Sequence, residues 1–475
     1  MKHTIFFLLC FFLLSKGFSQ TKYYPPTDPL VVKNLEKWQD LKFGFMMHWG
    51  TYSQWGIVES WALCSEPWCT GARKGKPYDE FKREYKELIT SFNPTQFDPD
   101  KWAEAAADAG MKYVVFTTKH HDGFSMFDTQ QSDYKITSPD CPFSKHPKAN
   151  VTKEIFDAFR KKGFLTGAYF SKPDWHHPDY WAPEWATPNR CNNYDIRTYP
   201  ERWQCFRDYT YNQIEELMTG YGKVDILWLD GGWVRPDSTI NEEVLAWGYD
   251  IPEWEQDIDM PRIVKMAREK QPGLIVVDRT VHGPYENYLT PEQKVPDEVI
   301  EHPWETCMTM AGGWSYSFDP NYKSTRQLIH TLVDVVVKGG NFLLNIGPSP
   351  DGTIDPTAYE RLSEIGDWMK INGEAIYESR PIAPYKEGKI GFTQNRYDKT
   401  TFAIYLADKE EALPPTKMLL QQIQPKANSK VTLLGYEEPL EWEPVGTGCL
   451  VQLPKHSAVK NMKGQPAWVL KMEVK

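Results

Sequence analysis

Val224-Asp225-Ile226-Leu227-Trp228-Leu229-Asp230-Gly231-Gly232-Trp233 is an apolar run that ends on a carboxylate and two glycines. A continuous apolar run of this length reads as a strand buried on both faces, which is the signature of a parallel sheet. Strand and helix alternate in both directions from it. Towards the N-terminus, residues 201–219 read as a helix, 164–171 as a strand, 155–160 as a helix and 113–118 as a strand. Before these, Asp98-Pro99 opens a helix with a cap residue and a proline at its first position; Trp102, Ala105, Ala106 and Ala109 share one face, and Gly110 closes it. Residues 42–49 give the first strand. Towards the C-terminus come a helix over 261–270, a strand over 274–279, a helix over 325–337 ended by Gly339-Gly340, a strand over 341–347, and a last helix from Asp355-Pro356 to about Gly373.

This alternation over about 350 residues predicts an α/β protein with a (β/α)8-type barrel carrying insertions. A doubly wound dinucleotide fold is the rival, but no G-x-G-x-x-G follows a predicted strand and no G-x-x-x-x-G-K is present. After Tyr377 the texture changes to short alternating segments at 401–406, 430–434 and 467–472, separated by polar turns. These predict an all-β C-terminal domain, a small sandwich. Residues 1–20 read as a secretory leader: Lys2 precedes an apolar run over 5–14, and Gly17, Phe18 and Ser19 resemble a cleavage site. The expected division is therefore leader 1–20, catalytic barrel 21–377 and sandwich 378–475. The leader implies export to a periplasmic or extracellular compartment, and no other apolar run is long enough to span a membrane.

The net charge of −10 supplies no electrostatic footprint for nucleic acid. Nineteen Trp, 25 Tyr and 23 Phe suit a large core, and also suit sugars, whose C–H faces stack on aromatic rings. Seven cysteines lie beyond the leader (Cys64, Cys69, Cys141, Cys191, Cys205, Cys307, Cys449) and allow up to three disulfides; Cys64 and Cys69 are close enough in sequence to pair.

Five successive predicted strands end on polar residues: His48; His120, His121 and Asp122; Tyr169 with Asp174 after it; Trp228 and Asp230; Asp278 and Arg279. In a barrel the C-terminal strand ends converge on one mouth. Asp230 is the sharpest candidate, a carboxylate beside Trp with Gly231-Gly232 allowing close approach to the backbone. A retaining glycosidase needs such a nucleophile and a second carboxyl about 5–5.5 Å away. Glu286, Glu292, Glu298, Glu301 and Glu305 all lie in the following acidic segment, and their spacing alone does not choose among them. The adjacent pairs His120-His121 and His176-His177 are poor chelators on extended backbone, and no H-x-H, H-x-x-x-H or C-x-x-C is present, so no metal or cofactor is expected. No G-x-S-x-G elbow supports a serine nucleophile.

Beside this reading, the chain resembles glycoside hydrolase family 29, the retaining α-L-fucosidases, from about Asn34 to Pro384. The resemblance is carried by Phe43-Gly44-Phe45-Met46-Met47-His48-Trp49-Gly50, Thr118-Lys119-His120-His121-Asp122-Gly123-Phe124, Leu227-Trp228-Leu229-Asp230-Gly231, Trp304-Glu305-Thr306-Cys307 and Asn372-Gly373-Glu374-Ala375-Ile376-Tyr377. It implies that Asp230 is the nucleophile and that His48, His120 and His121 bind fucose hydroxyls. Tyr169, Trp228 and Arg279 match further pocket residues, and Trp314 matches an aromatic beside the sugar's methyl group. The family's Glu-Trp pair reads Ser60-Trp61 here, with Glu59 one place early, and Trp61 carries over. The family's spacing before Trp304-Glu305 points to Glu292 as general acid/base. The implied substrates are fucosylated oligosaccharides or glycoconjugates, hydrolysed with retention. Two rivals are a catalytically silent sugar-binding protein on the same barrel and a retaining hydrolase of a related sugar such as α-L-galactose.

Overall fold

In the computed structural model, residues 23–187, 189–248 and 251–474 are described, so the leader lies outside the described residues. Seven strands, β1 (Phe43–Met47), β2 (Tyr113–Lys119), β3 (Leu165–Ser171), β4 (Ile226–Asp230), β5 (Ile275–Asp278), β6 (Glu305–Thr309) and β7 (Asn341–Ile346), form one sheet in the order β5-β4-β3-β2-β1-β7-β6. Every pairing in it is parallel.

Side chains alternate across these strands with period two. Met46, Tyr113, Tyr169, Ile226 and Trp228, Val277, Cys307 and Leu343, which draw on all seven strands, meet in one interior cluster. Their neighbours Phe45, Val114, Ala168, Leu227, Val276, Met308 and Leu344 join the larger cluster under the helices. A sheet whose strands all share one interior is curled on itself, and both of its faces are dry. That is why the strands read as unbroken apolar runs.

Nine helices accompany the strands among the described residues: α1 (Pro29–Leu41), α2 (Tyr78–Glu87), α3 (Pro99–Asp108), α4 (Val151–Lys161), α5 (Pro200–Gly220), α6 (Glu242–Leu245), α7 (Met260–Lys270), α8 (Thr325–Val337) and α9 (Pro356–Asn372). Asp98 caps α3 by accepting the Lys101 N–H at 3.3 Å, and Asp355 caps α9 by accepting that of Thr357 at 2.7 Å. Helix α1, not expected from the sequence, leads directly into β1. Its Leu35 and Trp38 enter the interior cluster, with Trp38 stacked on Tyr288 at 4.0 Å, so α1 plugs the N-terminal end of the barrel.

The eighth strand is not regular. Between β5 and β6 the chain makes only single bridges, Val277 with Glu286, Leu289 with Trp304 and Glu292 with Cys307. Pro284, Pro291 and Pro303 lack the N–H that a ladder needs, and Gln293 has φ 54°. This irregular segment carries Glu292 to the mouth.

Beyond α9, β8 (Ser379–Glu387), β9 (Ile390–Asn395), β10 (Thr401–Leu406), β11 (Lys417–Leu420), β12 (Thr432–Leu433), β13 (Trp442–Val445), β14 (Gly448–Gln452) and β15 (Ala467–Met472) build two antiparallel sheets, β12-β15-β10-β9-β8 and β11-β14-β13. Ala403 and Leu470 face the second sheet's Met418, Leu420 and Val451. Phe402, Ile404, Ala467 and Val469, their neighbours in sequence, join the barrel's own core. The Trp368 indole N–H of α9 donates to the Ala467 carbonyl at 3.0 Å across this contact. At Gly391 a Cβ would meet Val337 of α8 at 2.8 Å, so β9 approaches that helix as only glycine allows.

Among the described residues all seven cysteines are free thiols, Cys64 and Cys69 included, and Cys205 on α5 is the exposed one.

Candidate active site

Of the catalytic and sugar-binding residues that the resemblance implies, all except His121 line one cavity of about 410 Å³ at the C-terminal ends of the strands. His121 stands beside it, with Nε2 3.9 Å from Asp230 Oδ2 and its ring 5.1 Å from that of Trp61.

Asp230 is the last residue of β4 and follows Trp228 by two, so both point into the barrel mouth. Its Oδ2 accepts the Tyr169 hydroxyl at 2.7 Å, and its Oδ1 accepts the Gly231 N–H at 2.8 Å and Arg279 Nη1 at 3.0 Å. Burial pushes this carboxyl up, but Arg279, His121 and these hydrogen bonds outweigh it and hold the pKa well below the usual carboxylate range. Gly231 has φ 89°, and a Cβ there would lie 2.2 Å from Pro173 Cδ, so the chain turns sharply just after the carboxylate.

Arg279 spans two acids. Its Nη2 donates to Glu292 Oε2 at 2.7 Å while Nη1 holds Asp230. Its guanidinium lies 4.8 Å over the Trp228 ring, and Trp228 stacks on Tyr169 at 5.2 Å. Of the five acids left open above, Glu292 lines the cavity. Glu286 is buried elsewhere, tied to His282 Nδ1 at 2.7 Å and to the Thr280 N–H at 2.9 Å. Glu298 accepts the Tyr385 hydroxyl at 2.7 Å, and Glu301 is exposed. Glu305 lies inside the barrel, where it accepts the Tyr113 hydroxyl at 2.6 Å and the Trp228 N–H at 3.3 Å. Burial, opposed by those bonds, raises its pKa to about 7.

The histidines have defined tautomers. Asn345 donates through Nδ2 to the Trp314 carbonyl at 2.6 Å, so its Oδ1 accepts from His48 Nδ1 at 2.7 Å. Ser171 donates to the Pro173 carbonyl at 2.6 Å, so its Oγ accepts from His121 Nδ1 at 2.7 Å. With Nδ1 protonated in each, Nε2 is left as an acceptor. Burial lowers the pKa of His48 to about 4 and that of His121 to about 3, and holds His120 well below its ordinary value. All three rings are neutral at neutral pH. His120 Nδ1 is bonded to Ser60 Oγ.

One expectation needs correction. Adjacent histidines on extended backbone should diverge, but His120 and His121 follow the end of β2 in a turn, and their ring centroids are 4.2 Å apart. One ligand atom from each, with an Asp230 oxygen, lies within 4.8 Å of the others. The strand-end acids Asp122, Asp174 and Asp278 do not line the cavity. Asp122 accepts the Tyr85 hydroxyl at 2.8 Å, Asp174 pairs with buried Lys119 at 3.1 Å, and Asp278 pairs with buried Lys172.

Several cavity residues were not singled out from the sequence. Met46 precedes His48 by two on the strand leading to it, a spacing that could have revealed it. Arg190 and Trp247 sit on irregular loops with no such signal. Glu59, which the sequence placed one position before the Ser60-Trp61 pair, also lines the cavity; it is 1% exposed, accepts the Ser315 N–H at 2.9 Å, and burial raises its pKa to about 8.

Carboxylates held in this way at the C-terminal ends of parallel strands, around a cavity large enough for a sugar ring, are the working parts of barrel glycoside hydrolases, and this is the class that fold and site define. The chain belongs to the α-L-fucosidase family: the family model described as Alpha-L-fucosidase matches residues 11–374, and the Alpha-L-fucosidase C-terminal domain matches residues 385–473. A similar curated relative is tissue alpha-L-fucosidase of Mus musculus, 31% identical over 95% of this chain and 94% of its own length. Among solved structures, alpha-L-fucosidase isoenzyme 1 from Paenibacillus thiaminolyticus is 28% identical with a TM-score of 0.74, covering 94% of this chain and 100% of that one. The Thermotoga maritima alpha-fucosidase in complex with fucose is 26% identical with a TM-score of 0.71, covering 95% of this chain and 100% of that one.

Proposed function

We propose that the protein hydrolyses terminal α-L-fucosyl residues of oligosaccharides or glycoconjugates with retention of configuration. The observation that carries this reading is the single Arg279 guanidinium that holds Asp230 and Glu292 on adjacent nitrogens. Two carboxylates bridged by one fork are close together, as double displacement requires at about 5–5.5 Å. Asp230 attacks the anomeric carbon. Bound substrate frees Glu292 from Arg279; once it has taken a proton from solvent, Glu292 gives that proton to the glycosidic oxygen as the C1–O bond breaks and the leaving sugar departs. Once Asp230 is esterified its charge is gone, and Glu292 then takes a proton from the attacking water.

His48 and His121 accept hydrogen bonds from sugar hydroxyls through Nε2, with His120 beside them. Trp61, Tyr169 and Trp228 shape the pocket. Met46, Cys307 and Trp314 offer apolar surface to the 6-methyl group. Buried acceptors that need hydroxyl donors discriminate against sugars lacking them. No metal takes part in this scheme, so EDTA leaves activity intact; loss restored by a divalent ion would count against it. We also propose export with removal of residues 1–20, which N-terminal sequencing of the mature protein checks. The catalytic barrel then runs to 377 and the sandwich from 378.

The primary test is NMR of the first product from an α-L-fucoside. The α-anomer appears first if the reading holds, and the β-anomer first defeats it. One observation favours a second assignment of the acid: Glu59 also lines the cavity, and its raised pKa keeps it protonated at neutral pH. Glu292→Ala should slow substrates with poor leaving groups far more than activated aryl fucosides, with partial rescue by azide. If Glu59→Ala shows this behaviour and Glu292→Ala does not, Glu59 is the acid/base and the double displacement stands.

A further inference from the structure

The rim of the cavity carries an aromatic side chain that the scheme above leaves unused. Trp68 lies in the 3₁₀ turn Pro67–Arg73 and is 56% exposed. An exposed indole is ordinarily free to turn, but this one is held. Its Nε1–H donates to Glu66 Oε2 at 2.9 Å, and its ring centroid is 4.9 Å from that of Trp61, a wall of the cavity.

Glu66 is itself locked. It is buried, and its Oε1 accepts Arg190 Nε at 2.7 Å while Oε2 also takes Arg190 Nη2. The Arg190 guanidinium in turn lies 4.8 Å over Trp61 and 5.2 Å over Trp233. An aromatic surface thus runs from inside the cavity, through Trp61, to an outward face at Trp68. The Glu66–Arg190 pair beneath it cancels its own charge.

We propose that Trp68 is the platform for the leaving sugar, a neutral pyranose whose C–H face lies on the indole while its fucosyl substituent occupies the cavity. This rests on the assignment of the cavity to the fucose ring. The cavity of about 410 Å³ takes the fucose ring, and Glu292, whose side chain is 43% exposed, marks the side from which the glycosidic bond emerges. Whatever is attached to fucose therefore meets the rim. A flat apolar face with a fixed orientation binds such a group with little entropy left to lose.

The test compares kcat/KM for α-L-fucosyl fluoride, which has no leaving sugar, with kcat/KM for a fucosylated disaccharide. Cleavage of the fluoride by the unmodified enzyme checks the cavity assignment separately. Trp68→Gln keeps an N–H for Glu66 but removes the ring; Trp68→Phe keeps a ring but removes the N–H. The disaccharide-to-fluoride ratio should fall about tenfold in Trp68→Gln, the scale of one lost aromatic stacking contact, and fall clearly less in Trp68→Phe, which keeps a ring but not its tether to Glu66. Inhibition by the free leaving disaccharide should weaken in parallel. A ratio that is unchanged in Trp68→Gln, or that falls as far in Trp68→Phe, overturns the proposal.

Discussion

Asp230 has both oxygens occupied by donors, which hold it in the ionised form. Asp230→Asn keeps the shape and most of the donors but cannot form the ester. Turnover should fall by about three orders of magnitude or more while fucose still binds, as steady-state rates and competition by free fucose will show. The neutral tautomers of His48 and His121 carry their own prediction. A fucoside lacking the hydroxyl that either ring accepts leaves a buried lone pair unpaired, and should lose about 1–3 kcal/mol in kcat/KM.

Glu59 ties stability to pH. Its carboxyl keeps its proton in the fold up to about pH 8, whereas its ordinary value is 4.5. Between those values the folded state binds more protons than the unfolded one, so this contribution is full below the lower pKa and lost as pH rises through the upper one. His48 works in the opposite sense, its stability falling as pH drops from 6.5 towards about 4. The informative comparison is therefore between variants at each pH. The melting temperature of the unmodified protein should fall relative to Glu59→Gln from about pH 5 to pH 8, and parallel curves would contradict this. Residues such as His48 and Asp230 were legible because a strand's period two and its apolar run locate the end. Arg190 and Trp247 were not, because loops fold back through long-range contacts that leave no local periodicity; Glu59 was visible only through its place beside Ser60-Trp61.

At the level of elements, the strand ends are braced by buried ion pairs. Lys119 at the end of β2 and Asp174 after β3 lie 3.1 Å apart with side chains 0% and 1% exposed, and Asp174 also accepts the Tyr209 hydroxyl at 2.9 Å. Removing one partner leaves the other charge buried and unmatched. Asp174→Ala should cost about 3–5 kcal/mol in chemical denaturation, more than a change at an exposed pair such as Lys153–Asp157. The predicted strands at 113–118 and 164–171 and the capped helix at Asp98-Pro99 correspond to β2, β3 and α3. Strand β6 was not legible as a strand, because it opens on Glu305 and alternates with threonines. That polarity is tolerated only because Tyr113 and Trp228 reach the carboxylate from across the interior. The eighth segment was hidden for a related reason, its prolines leaving bridges where a ladder was expected.

On the scale of the whole molecule, the sandwich serves as a wall of the barrel. Its sheet gives Phe402, Ile404, Ala467 and Val469 to the same core that holds Leu328, Leu332 and Trp368 on α8 and α9. A chain ending at Tyr377 would expose that apolar surface and leave the Trp368 N–H without the Ala467 carbonyl. It should be recovered largely as aggregate, and a monodisperse active barrel by size-exclusion chromatography would refute this. The existence of the sandwich was legible from its alternating segments, with 401–406 and 467–472 recurring as β10 and β15. Its docking was not, because the alternation that reveals a strand does not say which element covers each face.

The state of the cysteines gives the experimenter a handle. Of the seven thiols among the described residues six are buried, and Cys205 stands exposed on the long helix α5, outside the residues that line the cavity. A maleimide dye added to the folded enzyme without residues 1–20, and so without Cys10, should therefore react at one position, in a stoichiometry of about one. The labelled protein can be tethered to a surface in a single orientation, or followed molecule by molecule as it turns over, without an introduced tag.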